Sequence, residues 1–133
     1  MEMRLELLLV PVSDVERAKE FYVEKVGFNL DVDGEPGGGL RVVQMTPPGS
    51  SCSITIGVGI TEAKPGSLWG MHLVTPDLEA TREELLSRGV DVSDYFHFEG
   101  GERLPGLDPD RGRYTSFASF SDPDGNTWLL QEA

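Results

Sequence analysis

The second half of this chain repeats the first. Asp14, followed by Gly27-Phe-Asn-Leu-Asp31, is answered by Asp77, followed by Gly89-Val-Asp-Val-Ser93. Thr46-Pro-Pro-Gly-Ser-Ser-Cys-Ser-Ile54 is likewise answered by Asp122-Pro-Asp-Gly-Asn-Thr-Trp-Leu-Leu130. Each half reads as strand, helix and three strands, an internal repeat of a βαβββ unit. A lone unit could not bury both its helix and its sheet face. Two of them, paired in one chain or across a dimer, are expected to curve their sheets around a shared cavity. The fold class is α+β with mixed sheets. One domain spans 1–133, made of repeat 1 (about 1–60) and repeat 2 (about 67–133), with polar Thr61–Gly66 as the linker.

The elements follow from pattern. Arg4–Val12 is nearly continuous in apolar residues and reads as an interior strand. Ser13 or Asp14 caps a helix whose stripe is Val15, Ala18, Phe21, Tyr22 and Val26, ended by Gly27 at a left-handed cap. Phe28–Asp33, Leu40–Met45 and Cys52–Gly59 read as strands. In the second half, Trp69–Thr75 is a strand and Asp77 caps a helix buried through Leu78, Leu85 and Leu86. Val90–Tyr95 continues as a strand, and Phe98–Arg113, rich in Gly, Pro and charge, reads as a long surface loop with the character of a lid. Tyr114–Phe120 and Asn126–Glu132 close the chain as a hairpin around Asp122-Pro-Asp-Gly125, where Pro123 presets φ and Gly125 takes a dihedral other residues avoid.

Charge and composition exclude several function classes. The net charge of −12 repels phosphate backbones and no basic stripe offsets it, so nucleic acid is not a partner. The longest apolar run, Leu7–Val12, contains Pro11 and is far short of the ~20 residues a bilayer span requires, so no membrane is expected. Met-Glu-Met-Arg at the start lacks the features of a signal peptide, and the single Cys52 cannot form an internal disulfide. A cytoplasmic location is therefore expected. Gly37-Gly-Gly39 has no strand-to-helix context or following Lys and is a hairpin tip, not a phosphate loop. No Ser/His/Asp spacing suggests a nucleophile.

Val12-Ser-Asp-Val-Glu-Arg-Ala-Lys-Glu-Phe-Tyr22, Val26-Gly-Phe28 and Phe120-Ser-Asp-Pro-Asp-Gly-Asn126 together resemble the vicinal oxygen chelate superfamily. That group contains glyoxalase I, the bleomycin resistance proteins, fosfomycin-inactivating transferases and extradiol dioxygenases. Its enzymes hold a divalent metal on inward-pointing His, Gln or Glu. Residue by residue, the resemblance puts the first-strand ligand at Leu7 and its counterpart on the fourth strand at Ser53. The second repeat supplies Gly70 and, in the last strand, Leu129. Leucine and glycine cannot donate to a metal and a serine hydroxyl is a poor ligand, so no metal or other cofactor is expected. Shifting the register by two residues brings in His72, Gln131 and Thr55 but leaves Leu5 or Leu9 on the first strand. A slip of one offers Glu6 and Glu132 without any His. A divalent metal ion remains the alternative.

By strand parity His72, Gln131, Thr55 and Ser53 line one face, with Leu7, Gly70 and Leu129. His72 is the candidate acid/base or ligand-bonding group. Tyr114 and Arg41 are candidates for the cavity mouth, His97 for the surface or the rim, and Trp69 and Trp128 for core or interface packing. The resemblance implies a homodimer. The leading reading is a metal-free protein that binds or sequesters a small molecule in a mostly apolar cavity. The alternative is a lyase, isomerase or dioxygenase of this superfamily built around His72.

Overall fold

A computed structural model describes residues 1–133. It divides into two compact units, Met1–Leu68 with Asp122–Asn126, and Trp69–Ser121 with Thr127–Ala133. In the first unit β1 (Leu7–Leu9), β2 (Asn29–Gly37), β3 (Leu40–Thr46) and β4 (Ser53–Val58) form a sheet in the order β1-β4-β3-β2. The β1–β4 pair is parallel and the others antiparallel. Its helix α1 (Val15–Glu20) starts where the Asp14 carboxylate accepts from the Arg17 N–H, then loosens into a π-helical turn over Phe21–Val26. Gly27, at φ 90°, stops it in the left-handed conformation. Val43, Met45, Ile54 and Ile56 are buried with Ala18, Phe21 and Tyr22. Alternation along β3 therefore assigns the odd positions to the helix-covered face and leaves the other face open.

The second unit is built around β5 (Trp69–Thr75), α2 (Leu78–Ser87), β6 (Phe96–Glu99), β7 (Glu102–Pro105), β8 (Ser116–Ser121) and β9 (Thr127–Glu132). Its five strands lie in the order β5-β9-β8-β6-β7, with β5 and β9 parallel. Asp77 caps α2 by accepting from the Ala80 N–H. Ala118, Phe120, Trp128 and Leu130 are buried on the helix-covered face, and Phe120 stacks on Trp128. Trp128 is thus a core residue, as its apolar mass suggests.

Four sequence expectations are corrected. β1 is three residues long and an edge strand, with Leu8 and Leu9 exposed, because only β4 pairs with it. Val90–Tyr95 is irregular: Val90 and Val92 alternate into the core, but the segment's tie to β8 is Ser93 N–H to Ser119 O with Ser119 N–H to Ser93 Oγ, too little for a ladder. Part of the supposed loop Phe98–Arg113 is a β-hairpin, turned at Gly100 and Gly101 with φ of 58° and 80°. Two consecutive positive φ values favour exactly such a Gly-Gly pair in a two-residue hairpin turn. Leu86 points outward rather than into the buried stripe.

Candidate functional site: an aromatic face on the second sheet

The open face of the second sheet is set by its register. His72 pairs with Leu129, Leu129 with Ser119, Gln131 with Phe117, and Phe117 with Phe96. Residues directly opposite share a face, so His72, Leu129, Gln131, Phe117 and Phe96 look away from α2. Their rings make a strip across the sheet. His72 meets Phe117 edge-on with centroids 6.3 Å apart, Phe117 stacks on Phe96 at 5.5 Å, and Phe98 stands edge-on to both, at 5.6 and 6.0 Å. The Arg103 guanidinium lies 3.6 Å over the Phe96 ring, closing that end of the strip with a cation–π contact. Phe96 and Phe117 are themselves buried, whereas Phe98 remains 50% exposed, so Phe98 is the phenylalanine ring that the strip offers to a partner. A hollow of about 380 Å³ lined by Tyr95, Phe96, Arg103 and Pro105 lies at the same end.

Gly70 interrupts β5. Trp69 pairs with Thr127 and Met71 with Trp128, so Gly70, at φ 82°, is an extra residue in a β-bulge. The bulge lets Trp69 and His72, an odd number of residues apart, share the open face. Trp69 is 85% exposed there, so it is not a core residue of this unit. The His72 ring folds back so that Nδ1 lies 2.6 Å from the Gly70 carbonyl.

The other residues singled out in this unit are placed as follows. Gln131 spends its amide on the Tyr114 carbonyl at 3.0 Å, and the Tyr114 N–H donates to Glu132 O. These bonds hold Tyr114 at φ 68°, half exposed, with Arg113 against its ring. His97, read as a rim residue, is buried: Nδ1 donates to the Gly106 carbonyl at 2.7 Å and Nε2 faces Glu99, pinning the hairpin to the following loop. Phe96, Phe98, Phe117 and Arg103 were not legible as site residues. The signal was Phe96-His-Phe98 alternation running into Gly100-Gly101, which marks a strand and its turn.

In the first unit the open face of the sheet carries Leu7 opposite Ser53, Leu9 opposite Thr55, and Gln44 opposite Thr55. Ser53 Oγ lies 2.7 Å from Thr46 Oγ1, and Thr46 donates to Asp31. The Thr55 hydroxyl is buried and has no protein partner. Arg41 lies on the helix-covered side instead, bonded to Asp33 and Glu16, where these carboxylates hold its guanidinium charged. A hollow of about 700 Å³ along α1 is lined mainly by charged side chains such as Asp14, Arg17 and Glu24 and has no aromatic wall.

The sequence matches the model of the Glyoxalase/Bleomycin resistance protein/Dioxygenase superfamily over residues 4–130. The chain belongs to this superfamily. Among solved structures, TnmS3, an antibiotic binding protein from Streptomyces sp. CB03234, is 38% identical, with a TM-score of 0.77 over 98% of this chain and 96% of that one. A superfamily member from Sphaerobacter thermophilus DSM 20745 is 30% identical, with a TM-score of 0.77 over 99% and 98%. The uncharacterized protein YetH of Bacillus subtilis (strain 168) is 27% identical over 124 residues, 92% of each chain.

Superfamily enzymes chelate a divalent ion, and the donor chemistry here does not fit one. The resemblance puts the ligands at Leu7, Ser53, Gly70 and Leu129. In the register, however, His72 rather than Gly70 stands opposite Leu129, as Leu7 stands opposite Ser53, so each sheet offers one donor at these positions, His72 and a Ser53 hydroxyl already engaged with Thr46. No group of three or more His, Cys, Asp or Glu side chains converges anywhere in the chain. No helix is long and apolar enough to cross a membrane.

Proposed function

We propose that this superfamily member binds a small organic molecule with a flat aromatic surface, without a metal ion, on the open face of the second sheet. The observation that carries the reading is the strip of His72, Phe117, Phe96 and Phe98, half open to solvent at Phe98. Phe98, exposed and standing edge-on to the buried Phe96 and Phe117, offers its ring to a further ring. The likeness to an antibiotic binding protein supports a small-molecule ligand rather than a macromolecule. The aliphatic and glycine residues at the chelating positions support binding without a cation, and Leu129 on the strip's own face adds apolar surface. A homodimer in the cytoplasm completes the proposal, with light scattering as the check on assembly.

Titration calorimetry with 2-naphthol and its saturated analogue decahydro-2-naphthol tests the reading. Aromatic contacts predict roughly a three- to tenfold preference for 2-naphthol, lost in Phe98→Ala. Absence of binding, or equal affinity for the two compounds, overturns it. Near-stoichiometric Ni, Zn, Fe or Mn that survives dialysis overturns the metal-free part.

A further inference from the structure

We propose that His72 selects, among flat aromatic ligands, those that carry a hydroxyl group, by offering a fixed hydrogen-bond acceptor at the end of the ring strip. This rests on the aromatic-binding reading above and adds to it the ligand's polar chemistry.

The argument begins at Gly70. Its position as the extra residue of the bulge, at φ 82°, places its carbonyl 2.6 Å from His72 Nδ1. A carbonyl oxygen has lone pairs only, so Nδ1 must carry the proton of this bond. In the neutral imidazole that leaves Nε2 bare, as an acceptor. Nε2 has no hydrogen bond or ion pair within the protein, whereas His97 commits both of its nitrogens. The His72 ring stands edge-on to Phe117, at an interplanar angle of 83°. A ring set against the exposed Phe98 therefore meets an acceptor at the His72 end of the strip and the Arg103 cation, set over the buried Phe96, at the other. A phenolic O–H satisfies Nε2, whereas an ether or ketone oxygen at that spot sets lone pair against lone pair. Trp69, brought to the same face by the same bulge, extends the apolar surface beside it.

Calorimetry with 2-naphthol and 2-methoxynaphthalene, on the parent protein and on His72→Phe, is the test. One hydrogen bond's net worth predicts roughly fivefold tighter binding of 2-naphthol by the parent, and His72→Phe, which keeps a ring, should bind the two alike. Long-range proton–nitrogen NMR of the parent should show Nδ1 protonated and Nε2 bare. Equal binding of the two compounds by the parent, a preference that survives in His72→Phe, or an Nε2–H tautomer overturns the assignment while the aromatic-binding reading stands. Binding of neither compound overturns both.

Discussion

The Tyr22 hydroxyl donates a 2.7 Å hydrogen bond to Asp122 Oδ2 in the buried interior of the first unit, joining residues a hundred positions apart. Asp122 accepts three more bonds, from Asn126 Nδ2 and from the N–H groups of Asp124 and Asn126. Asn126 in turn donates to the Pro11 carbonyl and accepts from the Leu68 N–H. Asp122 and Asn126, the two ends of the Asp-Pro-Asp-Gly-Asn turn, therefore form a buried polar plug held together by these bonds. Tyr22→Phe should lower stability by about 1–3 kcal/mol, the usual cost when a buried acceptor loses a donor. Asp122→Ala should cost more, since four donors lose their acceptor together. Urea midpoints measure both, and a Tyr22→Phe variant as stable as the parent refutes the account.

How much of this was legible in the sequence depends on which signal each feature leaves. The Asp14 and Asp77 caps, the Gly27 stop and the Asp122–Gly125 turn are local, and side chain and backbone settle them within a few residues. The parity of Ser53, Thr55, His72 and Leu129 was readable because alternation holds along β4 and β9. Alternation alone could not place Trp69, since one glycine as a bulge shifts every residue before it to the other face. The ring strip was hidden because Phe96 and Phe117 meet only through pairing of β6 with β8, a tertiary fact. Arg41 misled for a similar reason: its face is fixed by Val43 and Met45 packing under α1, and its charge is spent on Glu16 and Asp33.

Thr55 offers a gain of stability. Its side chain is 4% exposed and its hydroxyl has no protein partner. A buried hydroxyl left unpaired costs about 1–3 kcal/mol, and valine fills almost the same volume without the polar atom. Thr55→Val should therefore raise stability, by about 1 kcal/mol. A fall in the urea midpoint instead would show that the hydroxyl has a partner in solution.

Asp108 makes a pH-dependent contribution in the loop before β8. The Thr115 hydroxyl bond, above all, and then the Gly112 and Asp110 N–H groups hold its carboxyl below the usual carboxylate range. With the folded value depressed, the stabilisation is fully present above the unfolded value of about 3.9 and disappears as pH falls through the folded one. Thr115→Val removes the largest cause. The parent and this variant should differ in urea midpoint at neutral pH and converge in acid, and the Asp108 carboxyl carbon should titrate higher in the variant. A gap that persists unchanged into acid is inconsistent with this origin.

Gly70 couples stability to recognition. A methyl group built there meets nothing within 4 Å, so the cost of Gly70→Ala lies in the backbone at φ 82° and not in a clash. Holding a residue with a Cβ in that region costs about 1–2 kcal/mol, and the strand can escape the strain by abandoning the bulge. Escape would move the carbonyl away from His72 Nδ1 and free the ring to change tautomer and direction. Gly70→Ala should accordingly melt lower than the parent and also lose its preference for 2-naphthol over the methyl ether. Gly70→Asn, which tolerates the left-handed region, should keep more of both. Melting curves and calorimetry on the two variants decide it: an alanine variant that melts lower yet discriminates as the parent does would show that the bulge does not position His72.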